Sequence, residues 1–402
     1  MLLPNGWYPP VLWRAAPAWR EARHCHIPDG WSLDGIKVSD LVHQNRVPSR
    51  FSNPFTTTER VRDALVGRLV REGVSRNRDI LLCQFALPYG AAAADAAKEL
   101  DIPFVVQLRG DDVWIWPHKD HGTLQAFRHS LGSAELVLSV SQALIDGAAK
   151  LCNGAMPPAI VVPNGIDVTQ FRPASDEKEK LLLRRQIGIE GHQLVILCVA
   201  NAIVRKGWEE LLDALGDLDV PNMVLLGVSP GAHGELDIVT EASRRAPGLS
   251  VRLLRGLRGA ELANVYRAVD VFCLASHWEG LSNAVLEGMA SGLPVVTTSV
   301  AGHPEVITSF IDGILVPAKD SKALAEALRS VLGSIELRSR LGRAARRRAL
   351  GVGDSGRAGA RLGYLFDALR RGTISSVFGD ESPYGEVAFA SVEAAEILSR
   401  AH

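Results

Sequence analysis

Residues 274–298, LASHWEGLSNAVLEGMASGLPVVTT, decide how this chain is read. An apolar strand ends at Ala275, a loop carries Glu279 and Gly280, and Ser282 or Asn283 can cap a helix that runs to about Ala290. Gly292-Leu293-Pro294 stops that helix before the next β-branched run, VVTT. The order strand, loop, helix, strand is the crossover unit of a parallel sheet. A helix that begins at a sheet edge presents unpaired N–H groups and a partial positive charge, so the amides near Leu281, Ser282 and Asn283 form a cradle for phosphate. Glu279 precedes the helix and Glu287 lies in its second turn. One carboxylate can face a ligand at the cap while the other reaches a vicinal diol, and a nucleotide is the ligand that wants both.

Working outward, the same alternation fills the chain. QLVILCV (193–199), NMVLLG (222–227), VRLLRG (251–256), DVFCLA (270–275), PVVTT (294–298) and ILVP (314–317) read as strands, each followed by a helix-compatible stretch. In the first half DILLCQ (79–84), PFVVQL (103–108), ELVLSV (135–140) and AIVV (159–162) do the same, with AAAADAAKEL and SQALIDGAAK as helices between them. The class is α/β, with two wound sheets. Between them FRPASDEKEKLLLRRQIGIEGHQ is polar and without strand character, the composition of a boundary that few contacts cross. The expected organisation is an N-terminal domain over 1–170, a linker over 171–192, a C-terminal domain over 193–350, a C-terminal helix over 351–372 and a loosely attached tail over 373–402. The first sixty residues, dense in Trp, Pro and Arg, show no opening apolar strand of the usual length.

Composition excludes several classes. The 402 residues hold 44 Lys and Arg against 45 Asp and Glu, a net charge of −1, so no basic field points to nucleic acid. No run approaches the ~18 uncharged apolar residues of a membrane span. The N-terminus lacks a basic segment leading into a long apolar stretch, and the five cysteines are scattered and mostly set in apolar runs. A cytoplasmic protein with buried thiols is the expectation.

A second constellation follows the first strand of the C-terminal half, in CVANAIVRKGWEELLDAL. Arg205 and Lys206 end the loop and Gly207 opens the helix, placing two cations at a sheet edge where a diphosphate needs charge stabilisation. Alone, such a triplet also fits a solvated loop. Arg343, Arg346, Arg347 and Arg348 spread over much of a helix and read as a solvated face. His24-Cys25-His26 and the pair His118 and His121 lack a third partner, so no metal is expected. There is no P-loop and no Gly-x-Gly-x-x-Gly after a strand, which sets aside a P-loop ATPase and a dinucleotide dehydrogenase.

The stretch 274–298 resembles the Glu-x7-Glu signature of family-4 glycosyltransferases of the GT-B fold, with Glu279, Gly280, Glu287, Met289, Ala290, Gly292, Pro294, Val295 and Val296 in the family's places. VVPNGIDVTQFRP (161–173), Lys206-Gly207, AGHPEVI, DGILVPAKDSKALAEAL and LRSRLGRAARRR extend the resemblance over nearly all of 79–350. It implies two Rossmann-like domains facing across a cleft and a retaining hexosyltransferase, with a nucleotide-sugar donor on the C-terminal domain and a glycan or lipid-linked acceptor on the N-terminal one. By position it implies that Glu287 holds the donor ribose, Glu279 the transferred sugar or its α-phosphate and Lys206 the diphosphate, assisted by Arg205. No cofactor beyond the donor substrate is implied, and the analogy suggests cell-envelope polysaccharide synthesis, with contact at the inner membrane surface.

The chain departs from the family in three places. Ala200-Asn201 stands where many members carry Gly-Arg, which leaves Asn201 as the donor-side residue. Arg109 replaces the His of the His-Gly-x-Asp pattern while Gly110 and Asp112 remain, so Arg109 acts as a fixed cation toward a phosphate or an anionic acceptor, or pairs with Asp111 or Asp112. The Gly-Gly loop that usually follows is absent after Tyr8-Pro9-Pro10. The rival readings are a sugar-nucleotide epimerase or glycan phosphorylase on the same architecture, and a catalytically dead nucleotide-sugar-binding protein.

Overall fold

The architecture is taken from a computed structural model of the chain, which describes residues 2–7, 32–33, 36–37, 39–44, 58–76, 79–231 and 236–377. The chain divides into two compact units. Unit 1 comprises Met1–Ser139, Ile145–Val161 and Tyr364–His402, and unit 2 comprises Val140–Leu144 and Val162–Gly363.

Unit 1 opens with β1 (Leu2–Trp7), which pairs in parallel with β4 (Ser39–Gln44), while β2 (Ser32–Leu33) and β3 (Ile36–Lys37) form a short antiparallel ladder. An opening strand therefore exists where none is visible from the apolar pattern. Pro4, Asn5 and Gly6 inside it are turn-formers by composition, and a two-stranded ladder is a place where such residues are tolerated. The sheet expected from sequence follows as β5 (Leu81–Gln84), β6 (Phe104–Leu108), β7 (Leu136–Ser139) and β8 (Ala159–Val161), all parallel in that order. Helices α1 (Thr58–Arg71), α2 (Gly90–Glu99), α3 (Asp111–Trp114), α4 (His121–Gly132) and α5 (Gln142–Leu151) connect these strands.

Unit 2 takes the first three residues of α5, Gln142–Leu144, and resumes regular structure with α6 (Glu177–Gln186), inside the segment expected to be a linker. The segment belongs to the unit because two of its charges point inward. Lys180 and Arg184 both pair with Asp270, at 2.7 and 2.6 Å, and Arg184 also donates to the carbonyls of Gly191, Gln193 and Ala268. A buried guanidinium with its donors satisfied is part of the core rather than of a tether.

The sheet of unit 2 contains β9 (Leu194–Val199), β10 (Met223–Ser229), β11 (Ser250–Arg255), β12 (Val271–Leu274), β13 (Val295–Thr298) and β14 (Ile314–Val316). All neighbours are parallel, in the order β11-β10-β9-β12-β13-β14. Val195 to Cys198 and Val271 to Leu274 are fully buried, which is why their sequences are continuous apolar runs rather than alternating ones. The winding reverses between β9 and β12, so the loops leaving these two strands meet at a topological switch point. The helices are α7 (Trp208–Gly216), α8 (Ile238–Arg245), α9 (Gly259–Ala268), α10 (Asn283–Ala290), α11 (His303–Val306), α12 (Ser321–Gly333), α13 (Ile335–Val352) and α14 (Ser355–Arg370), the last crossing from unit 2 into unit 1. No helix among the described residues is long and apolar enough to cross a membrane.

Two of the arginines expected on a solvated face are used otherwise, while Arg343 stays exposed. Arg346 donates to the carbonyls of Val168, Phe171 and Ala290, and Arg348 to those of Glu305 and Val306. Arg343 bonds Ser339 along the helix. The reason is the helical period: positions 342, 345 and 349 pack inward, and position 346 lies on that same side.

Candidate functional site

The switch point of unit 2 gathers most of the residues singled out from sequence. The loop after β9 ends in a short 3-10 turn, Val204–Lys206, and the loop after β12 carries Ser276 to Ser282. They are tied together by the His277 amide donating to the Arg205 carbonyl at 2.8 Å, and by the His277 ring meeting Glu210 at 2.9 Å. Gly207 makes this approach possible. Its φ is +68°, and a Cβ there would lie 1.9 Å from the carbonyl oxygen of Ala275.

Lys206 and Glu279 form an ion pair, Nζ to Oε1, at 2.5 Å. The Ser276 hydroxyl donates to the same Oε1 at 2.7 Å. Glu279 is 8% exposed. Burial opposes its charge, but the Lys206 ammonium and the hydroxyl of Ser276 outweigh it and hold the carboxyl below the usual range. Behind them His303 is fully buried, its Nδ1 2.9 Å from the carbonyl oxygen of Thr298 and its Nε2 without a hydrogen-bond partner among the described residues. Burial keeps this imidazole neutral by lowering its pKa. Nδ1 is therefore the protonated nitrogen, and Nε2 is left as an acceptor.

Glu287 lies one helical stretch away, on α10. Burial raises its pKa, opposed by a hydrogen bond from the Tyr266 hydroxyl to Oε2 at 2.9 Å. Between the two carboxylates is the start of α10. Helices α6, α8, α12 and α13 each begin with an Asp or Ser side chain accepting an amide hydrogen. The helices that leave the switch point do not: α7 starts at Gly207 and α10 at Ser282, neither with a side-chain cap, and α9 shares this feature. An uncapped helix start at a sheet edge is one that can offer its first amides to an anion. Gly280 accepts an amide hydrogen from Gly302 at 2.9 Å, and Leu281 accepts from the side chain of Asn164 at 3.2 Å, so the loop backbone is fixed; Asn283 is exposed. Arg205 lies over the Trp278 ring at 6.0 Å from its centroid. The carbonyl of half-buried Asn201 accepts the indole N–H of fully buried Trp208 at 2.9 Å.

Arg109, Gly110 and Asp112 belong to unit 1, at the end of β6. Asp112 is fully buried and accepts amide hydrogens from Ala86, Arg109 and Gly110 at 3.0, 3.1 and 2.8 Å. Its two carboxylate oxygens, engaged by three amides, hold its own loop. Burial raises its pKa despite those bonds. Gly110, at φ 144°, supplies one of the three amides. Arg109 is half-buried, and its guanidinium has no ion-pair partner among the described residues. Burial lowers its pKa, partly offset by Asp112.

His118 ends a short 3-10 turn and His121 opens α4, where it meets Gln125 at 3.3 Å. His24, Cys25, His26 and Tyr8-Pro9-Pro10 lie outside the described residues. Two residues escaped the sequence reading, Tyr266 and His303. Each lies in a quoted or neighbouring motif, YRAVDV or AGHPEVI, but packing rather than spacing reveals its role.

Comparison with known proteins adds the following. The model for glycosyl transferases group 1 matches residues 179–348, and that for glycosyltransferase family 4 matches residues 7–170. A Bacillus subtilis protein named as a teichuronic acid biosynthesis glycosyltransferase, TuaC, is 31% identical over 251 residues, covering 62% of this chain and 60% of that relative. The chain therefore spans about three fifths of the length of this curated relative. Sucrose-phosphate synthase from Thermosynechococcus elongatus superposes with a TM-score of 0.71 at 19% identity, covering 87% of each chain. Anabaena HepE, solved in complex with UDP-glucose, gives 0.68 at 19% identity over 83% of this chain and 86% of HepE.

Proposed function

Because the chain belongs to the family-4 glycosyltransferases of the GT-B fold, we propose that it transfers a hexosyl group, with retention, from a nucleotide sugar to a glycan or lipid-linked acceptor in cell-envelope polysaccharide synthesis. The donor would bind unit 2 and the acceptor unit 1. The observation that carries this reading is the switch point, where Lys206 and Glu279 leave β9 and β12 and Glu287 follows on α10. A diphosphate is the group that matches a cation beside two uncapped helix starts, and a ribose diol matches a half-buried carboxylate one helical stretch further on. The name of TuaC supports an envelope polysaccharide, and bound UDP-glucose in HepE supports a nucleotide sugar.

In this reading the Lys206 ammonium exchanges its partner. It rests on Glu279 and moves to the leaving diphosphate as negative charge develops there, joined by Arg205 and the amides of Leu281, Ser282 and Asn283. Glu279, released, accepts hydroxyls of the transferred sugar, with Gly280 allowing the sugar to approach the backbone; Asn201 lines the donor loop. The anomeric carbon breaks its bond to the diphosphate oxygen and forms one to the acceptor oxygen on the same face. The acceptor proton leaves with the diphosphate, so no protein base is needed. Arg109 and Gly110 serve the acceptor side.

A thermal-shift screen of nucleotide sugars, followed by calorimetry on Glu287→Gln, tests this. Replacing a carboxylate that accepts two hydroxyls by an amide costs about tenfold or more in donor affinity. An unchanged dissociation constant sinks the ribose assignment. Donor hydrolysis or epimerisation without acceptor points instead to the rival chemistry.

A further inference from the structure

The phenol of Tyr266 is a buried group that no step above uses. It sits on α9, fully buried, stacked on Phe272 with centroids 5.8 Å apart and edge-on to Phe171 at 5.5 Å. Those two rings fix the direction of its hydroxyl. The hydroxyl oxygen is 2.9 Å from Oε2 of Glu287 and 3.2 Å from the carbonyl oxygen of Ala284, two acceptors for one proton. When Glu287 is ionised the phenol can donate to it. When Glu287 is protonated the phenol must turn its hydrogen to Ala284 and accept the carboxyl hydrogen instead.

We infer that Tyr266 is a positioning residue that holds Glu287 as an oriented carboxylate, occupying Oε2 so that Oε1 and the remaining lone pairs face a diol. The inference rests on the proposed nucleotide-sugar reading of the same site. Burial pushes the Glu287 carboxyl toward its neutral form, and the phenol is the group that opposes it. The other ionisable groups on the elements packed around it are occupied or neutral. Arg346 on α13 is spent on three carbonyls, Arg267 on α9 turns to Asn264 and Glu179, and Glu279 on the preceding loop is neutralised by Lys206. The thiol of Cys198 on β9 is pushed up to about 12 by burial, burial also raises that of Cys273 on β12, and both stay neutral.

The test is donor binding by calorimetry from pH 5 to 8 for wild type, Tyr266→Phe, Glu287→Gln and the double variant. Tyr266→Phe keeps both ring contacts and removes one oxygen. It is expected to weaken donor binding about threefold to tenfold at neutral pH. The pH midpoint of binding should move upward, with affinity recovering as pH rises, because a carboxyl that has lost a donor ionises later. In the Glu287→Gln background Tyr266→Phe should add nothing. Glu287→Asp, which keeps the charge but withdraws it from the phenol by one methylene, should show the same upward shift and guards against a misfolded Tyr266→Phe. Unchanged affinity and midpoint in Tyr266→Phe while Glu287→Gln binds poorly overturns this inference alone, as does an equal loss in both backgrounds. Full affinity in Glu287→Gln removes the ribose assignment and this inference with it.

Discussion

The loop after β6 in unit 1 and the loops after β9 and β12 in unit 2 use the same parts and distribute their charge in opposite ways. Each has a cation, a glycine and an acid at the carboxyl end of a parallel strand. In unit 1 the acid, Asp112, is consumed by three backbone amides, and the cation, Arg109, keeps no ion-pair partner among the described residues. In unit 2 the acid, Glu279, takes the ammonium of Lys206 directly. A loop whose acid holds its own backbone has a fixed shape and a spare charge. A loop whose acid holds the cation has a charge that must be released before it can act, and so can respond to a ligand.

The largest expected effect comes from Gly207→Ala. The added methyl meets a carbonyl oxygen of the strand, so the two switch-point loops must separate, and about an ångström of misplacement at a catalytic group costs roughly 10²-fold in rate. Transfer activity should fall at least that far, with a lower melting temperature; an active, stable variant would show that the loops need not be close. Asp112→Ala comes next. It leaves three amides, two of them buried, without this acceptor, at about 1–3 kcal/mol each, so urea denaturation should report a loss of about 3 kcal/mol or more. A loss under 1 kcal/mol would mean that the loop of unit 1 is not held by its acid. Arg109→Ala should lower acceptor kcat/KM about tenfold with little change in stability, because the residue has no ion pair to lose among the described residues, and Arg109→Lys should recover part of it. Intact kinetics in Arg109→Ala would make that cation structural.

The smallest effect is on pH dependence. The native pKa of Glu279 is lowered, so it adds stability above its unfolded value and loses it as pH falls through the native one. That of Asp112 is raised, so its contribution has the opposite sign, present below the unfolded value and lost as pH rises through the native one. On acidification below the ordinary carboxylate range, Glu279→Gln should therefore flatten the loss of stability seen in wild type. An unaltered acid limb in that variant would place the acid-labile group elsewhere.

Much of this was legible in the sequence, for identifiable reasons. Strands buried on both faces are continuous apolar runs, and the ten read from sequence lie within about two residues of β5 to β14. The helix at 283–290 was legible through the Ser282 or Asn283 start and the Gly292 stop, although Ser282 begins it without a side-chain cap, and it fixed the spacing of Glu279 and Glu287. What was not legible depends on side-chain direction. Lys180 and Arg184 look like linker charges until Asp270 is seen opposite them. Arg346 looks solvated until three carbonyls surround it. Asp112 carries the same letter whether it faces a ligand or its own backbone, and Tyr266 reads as one more core aromatic until its hydroxyl is found against Glu287.

The release of Lys206 from Glu279 is best tested by steady-state transfer and donor binding measured side by side on Lys206→Ala. Charge on the departing diphosphate grows as the glycosidic bond breaks, so loss of this ammonium should cut turnover at saturating donor by ~10²-fold and raise the donor dissociation constant by much less. Turnover unchanged at saturation, with only the dissociation constant raised, would contradict it and leave Lys206 as a cation that binds ground state and transition state alike.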